Sequence, residues 1–467
     1  MENISSQQEE AFRDSIATVT KEGKRNWVYP KKFSGKFYRA RTYLSYVLLL
    51  FLFGVPFIKV NGHPFIIFNI PERHFIIFGI PFGPHDLHLF ALSMIAFIVS
   101  IFLFTVVFGR LFCGWICPQT VFMEMVFRKI EYWIEGDANK QRALKAAPWN
   151  GEKIFKKTSK QIIFYTISFL IANTFLSYII GVDKLYQYIL DTPSKHFGIF
   201  LAVLIFSGIF YFVFSYFREQ ACTIVCPYGR LQGVMLDSNS IVIHYDYKRG
   251  EPRGKISKSE ERINGDCIDC KMCVDVCPTG IDIRNGTQLE CVNCTACIDA
   301  CDNVMDKIKK PHGLIRYASK NQIETGIKKI LTPRSIGYSI VLSILTILIV
   351  FLLATRSDVE LNILRTPGTL FQEQPGGKLS NLYDLKIVNK TFNHLPASLE
   401  LENIKGEIRI IGKDLDVEPQ GVTEAKFLVI LPKSEIKYLK TPLKIAVKSN
   451  DKILDVINTA FLGKVVQ

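Results

Sequence analysis

Five apolar stretches, each about as long as a bilayer core is thick, decide what this chain can become. In lipid every backbone polar group must be paired internally, so stretches of that kind become helices. They run from Thr42 to Ile58, Leu87 to Phe108, Gln161 to Val182, Phe197 to Phe217 and Ser335 to Thr355. The first begins too late for a cleaved signal peptide and follows a polar, basic leader, so it reads as a retained span whose end is blurred by Pro56. The chain as a whole is 48% hydrophobic and 21% charged, so the individual segments carry the argument rather than the average.

Lys and Arg set the orientation, because cytoplasmic connections hold the excess. The leader carries Lys21, Lys24, Arg25, Lys31, Lys32, Lys36, Arg39 and Arg41. The connection from Gly109 to Lys160 is equally basic, with Arg110, Arg128 and Lys129 among its cations. Both are expected inside the cell. The connection between the first two spans has Arg73 alone, and the one before the fourth has Lys184 and Lys195, so both are expected outside. Most of the net charge of +14 is then the cytoplasmic flank of a membrane protein facing anionic lipid. Nothing in the chain has the form of a nucleic-acid motif, and no nucleic acid is expected as a partner.

Between the spans the character changes. His63 to Phe82 is apolar but interrupted by Pro64, Pro71 and Pro81, which points to a β-hairpin or interfacial loop at the outer surface. Tyr245 to Gly265 is a basic, turn-rich linker ahead of a cysteine-dense block. After the fifth span, alternating segments such as LYDLKIVN, KFLVIL and LKIAVK argue for a β-sandwich of about 100 residues. The expected organisation is a basic leader over 1–41, a four-helix membrane region over 42–244, a ferredoxin-like domain over 245–334, a fifth span over 335–355 and the sandwich over 356–467. Counting crossings places the C-terminus outside.

The cysteines carry the chemistry. Cys267, Cys270, Cys273 and Cys277 have the C-x2-C-x2-C-x3-C-P spacing, and Cys291, Cys294, Cys297 and Cys301 repeat it with Asp302 in place of the proline. This is the two-cluster bacterial ferredoxin pattern, in which the fourth cysteine of each run ligates the other cluster. One 4Fe-4S cluster is therefore expected on Cys267, Cys270, Cys273 and Cys301, and the second on Cys277, Cys291, Cys294 and Cys297. Zinc would be content with paired C-x2-C ligands, and disulfides are disfavoured on a reducing cytoplasmic face.

Two further pairs, Cys113 with Cys117 and Cys222 with Cys226, each form C-x-x-x-C-P directly after an even-numbered span, so the chain reads as two repeats. On a helix such a pair shares one face, whereas Pro118 and Pro227 favour a break just before a new helix; spacing alone leaves both geometries open. Thiolates without histidine suit Cu(I), zinc or iron-sulfur chemistry, and the four sulfurs could form one site or two. The plainer reading is that they are buried small apolar residues. Arg110 and Arg230 would favour the thiolate if they approach. His88 and His196 start the second and fourth spans in equivalent places; a haem or quinone role competes there with that of ordinary interfacial histidines.

With GRLFCGWICPQT, the second C-x-x-x-C-P, the paired ferredoxin motifs, five spans and an immunoglobulin-like C-terminal domain, nearly the whole chain resembles the cytochrome c oxidase accessory protein family, also called CcoG or FixG. That resemblance implies a multi-pass protein of the bacterial inner membrane that helps to assemble a cbb-type oxidase. It also implies reduction of Cu(II) to Cu(I), with Cys113, Cys117, Cys222 and Cys226 at the copper, an electron donor from cytoplasm or membrane, and copper-delivery proteins and oxidase subunits as partners. Two other readings compete: an electron-relay subunit of a quinol-oxidising respiratory complex, and a structural chaperone that holds oxidase subunits through the sandwich.

Overall fold

The computed structural model describes residues 17–20, 22–70, 74–255, 265–368, 370–412, 415–449 and 452–464. The leader before Ala17, Lys21, Arg73 and the 256–264 part of the linker lie outside the described residues. Five helices are long and apolar enough to cross a membrane: Lys36–Phe57, Pro84–Phe108, Gly151–Ile180, Phe197–Phe217 and Pro333–Ala354. The molecule is a membrane protein with five such helices. It divides into two compact units, one of residues up to 58 together with 92–347, the other of residues 59–91 together with 348–467.

Two spans begin well before the apolar runs do, by six and ten residues. The first starts at Lys36 instead of Thr42, because the carboxylate of Asp299 accepts from the backbone N–H groups of Phe37 and Tyr38 at 3.1 and 2.7 Å and so caps the helix from a distant part of the chain. The third starts at Gly151 instead of Gln161. Its N-cap, Asn150, accepts from the Lys153 N–H at 2.8 Å, and the polar first turns are held by ion pairs from Lys157 and Lys160 to Glu135 at 2.9 Å each.

Within the first unit, the segment from Pro118 to Ile134 runs on as helix and packs its aromatic face on the third and fourth spans. Phe127 stacks on Phe214 at 4.7 Å and meets Phe164 edge-on at 4.8 Å. The cysteine-dense block is anchored by a strand pair, Val242–Tyr245 against Ile315–Ala318, so its domain begins a few residues before the expected Tyr245. Its core is built from Ile243, Ile283, Ile298, Met305, Leu314 and Ile315.

In the second unit, where the proline-punctuated run suggested a β-hairpin or interfacial loop, Ile66–Asn69, His74–Ile77 and Ile80–Phe82 form a three-stranded antiparallel sheet. Besides a short pair, Leu395–Pro396 against Asp416–Val417, the C-terminal domain has two main sheets among the described residues. One has Glu407–Ile411, Val422–Pro432, Lys378–Asn389 and Val359–Arg365 in that order, with Gln372–Gln374 also on Lys378–Asn389; the other has Ser398–Leu401, Lys440–Ser449 and Lys452–Leu462. Tyr383, Phe427, Leu443 and Phe461 fill the space between them. The Tyr383 hydroxyl, which burial would otherwise orphan, donates to the Ala460 carbonyl at 3.0 Å.

Candidate functional site

The ferredoxin-type loops are coiled the same way twice. In each C-x2-C-x2-C run the residues on either side of the middle cysteine, Asp269 and Lys271 in one, Asn293 and Thr295 in the other, have left-handed backbone angles, and a helix starts directly after the second of them. Side chains rarely adopt that conformation without a reason, and such turns make concave nests that present backbone N–H groups to an anion. Cys267, Cys270, Cys273 and Cys301 line one small cavity. Cys277, Cys291, Cys294 and Cys297 line another, which Cys273 also borders, so the two lie side by side.

Among the described residues, no three His, Cys, Asp or Glu side chains stand close enough to hold one metal ion. Four thiols spread around a walled cavity suit the corners of a cubane better than a single tetrahedral zinc. Burial pushes Cys273 and Cys291 up to about 12 and Cys294 to about 11. Thiols so placed ionise together only against a bound cationic centre. Cys270 alone among the eight is exposed.

The C-x-x-x-C-P segments adopt the broken geometry rather than one continuous helix. Cys117 and Cys226 are extended, with ψ of 125° and 111°, and Pro118 and Pro227 open the next helices. Wide π-helical turns adjoin both, at Val121–Phe127 after the first and at Val213–Phe217 and Ala221–Val225 around the second. Such turns are rare and concentrate at functional sites.

The two segments meet through Arg110. Its Nε donates to Gln232 Oε1 at 3.1 Å, the same oxygen that accepts from the Cys113 thiol at 3.2 Å, and a second guanidinium nitrogen donates to the Leu289 carbonyl. A side chain at Gly229 would meet both Arg110 Nη2 and the Cys222 carbonyl at 2.7 Å, so only glycine leaves room for the guanidinium there. Burial raises the Cys113 thiol to about 11 and that of Cys222 to about 12; Cys222 also feels Cys117, Cys113 and Cys226, while Arg110 opposes the rise at both. The four thiols thus gather within electrostatic reach of one another. Arg230 is exposed on the following helix.

This gathering sits against the second ferredoxin loop. A side chain at Gly114 would strike the carbonyl oxygens of Val292 and Asn293 at 2.5 and 2.7 Å, so the two backbones touch. Arg41, 4% exposed, ties them together by donating to the carbonyls of Gly114 at 3.0 Å and Cys294 at 2.8 Å. Cys113 packs in one apolar cluster with Val292, Cys294 and Ala296. Trp115 donates to the Tyr317 hydroxyl at 3.1 Å, which donates in turn to the Asn293 carbonyl at 3.1 Å.

A buried ionic lattice completes the surroundings. Arg218 grips Glu131 with two nitrogens at 2.5 and 3.1 Å, Lys160 approaches Glu131 at 3.4 Å, and Arg128 lies between Glu124 at 3.4 Å and Glu219 at 3.9 Å. Burial alone would raise the Glu131 carboxyl, but Arg218 and Lys160 outweigh it and hold the group below its ordinary range. Sequence reading passed over Arg41, Gln232 and this lattice. Its available signal was the spacing of Glu124, Arg128 and Glu131 along one helical face, just after the first cysteine pair. The two histidines are placed plainly: His88 is exposed, and His196 bonds Asp191 at 3.1 Å beside the ring of Tyr188.

Comparison with known proteins adds independent findings. Residues 217–320 match the family model of a 4Fe-4S dicluster domain, residues 90–140 that of a 4Fe-4S binding domain, and residues 349–464 that of the Ig-like fold at the C-terminus of FixG. The chain is 31% identical over 465 residues to the nitrogen fixation protein FixG of Rhizobium meliloti, covering 88% of this chain and 87% of that one. It is 34% identical over 384 residues to protein RdxB of Cereibacter sphaeroides, covering 79% and 80%. To protein RdxA of the same organism it is 32% identical over 376 residues, covering 78% and 79%. The first C-x-x-x-C-P pair falls inside the 90–140 match and the second inside the dicluster match.

Proposed function

The chain belongs to the FixG family of membrane iron-sulfur proteins, and from that premise we propose that it is a cupric reductase serving the assembly of a cbb-type oxidase. Two 4Fe-4S clusters, when bound, would supply one-electron chemistry close to the membrane-edge thiols. The first would be held by Cys267, Cys270, Cys273 and Cys301, the second by Cys277, Cys291, Cys294 and Cys297, both on the cytoplasmic side. The copper substrate binds at Cys113, Cys117, Cys222 and Cys226. One electron converts Cu(II) to Cu(I), and thiolate sulfur favours the reduced ion.

The observation that supports this most is the backbone contact of Gly114 with Val292 and Asn293, bound by Arg41, because it leaves no solvent layer between the thiol site and the loop of the second cluster. The residues of this chain do the positioning. Gln232 orients the Cys113 thiol, Arg110 offsets negative charge on Cys113 and Cys222, and Arg41 fixes the gap the electron crosses.

A second reading is favoured by the match of residues 90–140 to a 4Fe-4S binding model and by the spread of the four thiols: they would hold a further iron-sulfur centre. One experiment separates the two. The anaerobically purified protein and a variant with Cys113, Cys117, Cys222 and Cys226 all changed to Ala are compared for iron, acid-labile sulfide, copper binding and Cu(II) reduction. The copper reading expects equal iron and sulfide with copper binding and reduction lost. Lower iron in the variant favours the further centre, and undiminished Cu(II) reduction overturns the proposal.

A further inference from the structure

Beside the second ferredoxin loop lies a cavity of about 300 Å³, lined by Arg110, Gly233, Leu236, Val242, Leu289, Cys291 and neighbouring residues. Its walls are mainly aliphatic, with a few polar groups converging: the Arg110 guanidinium, the Thr287 hydroxyl and the Asn293 amide. That size and that mixture are typical of sites for small organic molecules, which run from about 300 to 1,000 Å³. Asn293 is 2% exposed, yet its Nδ2 has no hydrogen-bond partner, while its Oδ1 accepts from the Ile243 N–H at 3.4 Å and from the Cys291 thiol at 3.5 Å. A buried amide donor left unmatched is costly and marks a place where an acceptor belongs.

The cavity stands at the C-terminal end of the second span. Gly109, the residue after that helix, would press any side chain against Val242, Leu236 and the Asn293 amide, and the Ile241 N–H donates to the Val107 carbonyl at 2.9 Å. Around it, Leu231, Val234 and Leu289 are 47%, 85% and 59% exposed, an apolar surface suited to lipid or to a lipid-borne tail. From these positions we infer that the cavity binds the head group of a membrane quinol, whose electrons enter the protein at Cys291.

The chemistry is balanced. A quinol loses two O–H protons and two electrons to become a quinone, and the two adjacent iron-sulfur sites take one electron each. Asn293 Nδ2 and Arg110 donate to the ring oxygens. The protons leave by way of the Thr287 hydroxyl and the His244 imidazole, which stand 3.5 Å apart. Two one-electron sites side by side are what a two-electron donor requires when the final acceptor, Cu(II), takes one electron at a time. The inference rests on the proposed path from clusters to copper and supplies that path with its donor.

The test uses the full-length protein with its clusters, in detergent, and menadione as the quinone probe. Binding is followed by quenching of protein fluorescence, and the neighbouring cluster by its EPR line shape before and after addition. Gly233→Leu, which fills the cavity against Leu289, and Leu289→Trp, which blocks its exposed side, leave the cysteines untouched. Saturable binding that perturbs the EPR signal of one cluster is expected, weakened about tenfold or more in both variants at unchanged iron content. Absent binding, or equal binding by both variants, overturns the inference. Protein pre-reduced with dithionite and then freed of excess reductant bypasses the cavity: Cu(II) reduction by that protein, with no cluster reduction by menadiol, sinks the quinol site alone, whereas failure of the pre-reduced protein to reduce Cu(II) sinks the copper reading.

Discussion

The ferredoxin block and the membrane-edge thiols both bring cysteines together in fours, but they do so by opposite means. The block takes all eight thiols from one continuous stretch, Cys267 to Cys301, and folds them with repeated left-handed turns around walled cavities. The membrane-edge group draws its thiols from two segments separated by two spans, and needs Arg110, Gln232 and Gly229 to bring them together. The first is a local structure that any context would preserve. The second exists only when the spans are packed, so its affinity for a metal depends on tertiary structure and can change as the helices shift. The copper reading proposed above calls for this difference, between a centre that keeps its cofactor and one that hands its metal on.

The sharpest way to break the comparison is to cut one foursome at a time. Because the fourth cysteine of each run faces the other run's cavity, Cys301→Ala is expected to abolish the cluster lined by Cys267, and Cys277→Ala the one lined by Cys291. Each variant should lose about half of the iron and one of two EPR signals, not both. If Cys277→Ala instead removes the signal lost in Cys267→Ala, the crosswise partition is wrong.

Next in size is the junction itself. Gly114→Val thrusts two methyl groups at backbone carbonyls that Arg41 holds in place. Displacing the thiol loop away from the second cluster's loop should slow Cu(II) reduction several-fold while both clusters persist. Stopped-flow reduction after dithionite pre-reduction reads the loss. An unchanged rate would mean that electrons reach copper by another route.

How much of this was legible beforehand follows the same division. The block could be read because its spacing is its structure: Cys267 to Cys301 need only local turns, and Cys301 lines the cavity of Cys267 while Cys277 lines that of Cys291. The five spans could be read because bilayer thickness sets their length, though Asp299 and Asn150 move two of their starts by caps that hydropathy does not register. At the membrane edge the sequence singled out four thiols and left their geometry open. Proline after Cys117 and Cys226 was compatible with two arrangements, and the choice depended on Gln232 and Arg110, residues without a motif of their own. Arg41 illustrates the limit most plainly: it counted as one more cytoplasmic charge, whereas it is a buried clamp between Gly114 and Cys294.

The smallest expected effect on electron transfer comes from the ionic lattice, which supports the membrane-edge site without touching its thiols. Glu131→Gln leaves Arg218 buried beside a neutral amide, and breaking a buried pair from one side costs about 3–5 kcal/mol. The variant should unfold earlier on heating, read by intrinsic fluorescence in detergent, while the molecules that remain folded reduce Cu(II) at nearly the parent rate. The pH dependence has a definite sign. Arg218 and Lys160 hold the native carboxyl below its ordinary value of 4.5, so the unfolded state binds this proton first as the solution is acidified. The stability Glu131 contributes is therefore complete above 4.5 and drains away as pH falls toward the depressed native value. A parent protein whose advantage over Glu131→Gln stays constant through that acid range would show that the carboxylate charge is not what holds Arg218. In that case the membrane-edge site would owe its assembly to packing around Phe127 and Phe214, and the contrast with the ferredoxin block would be one of location alone.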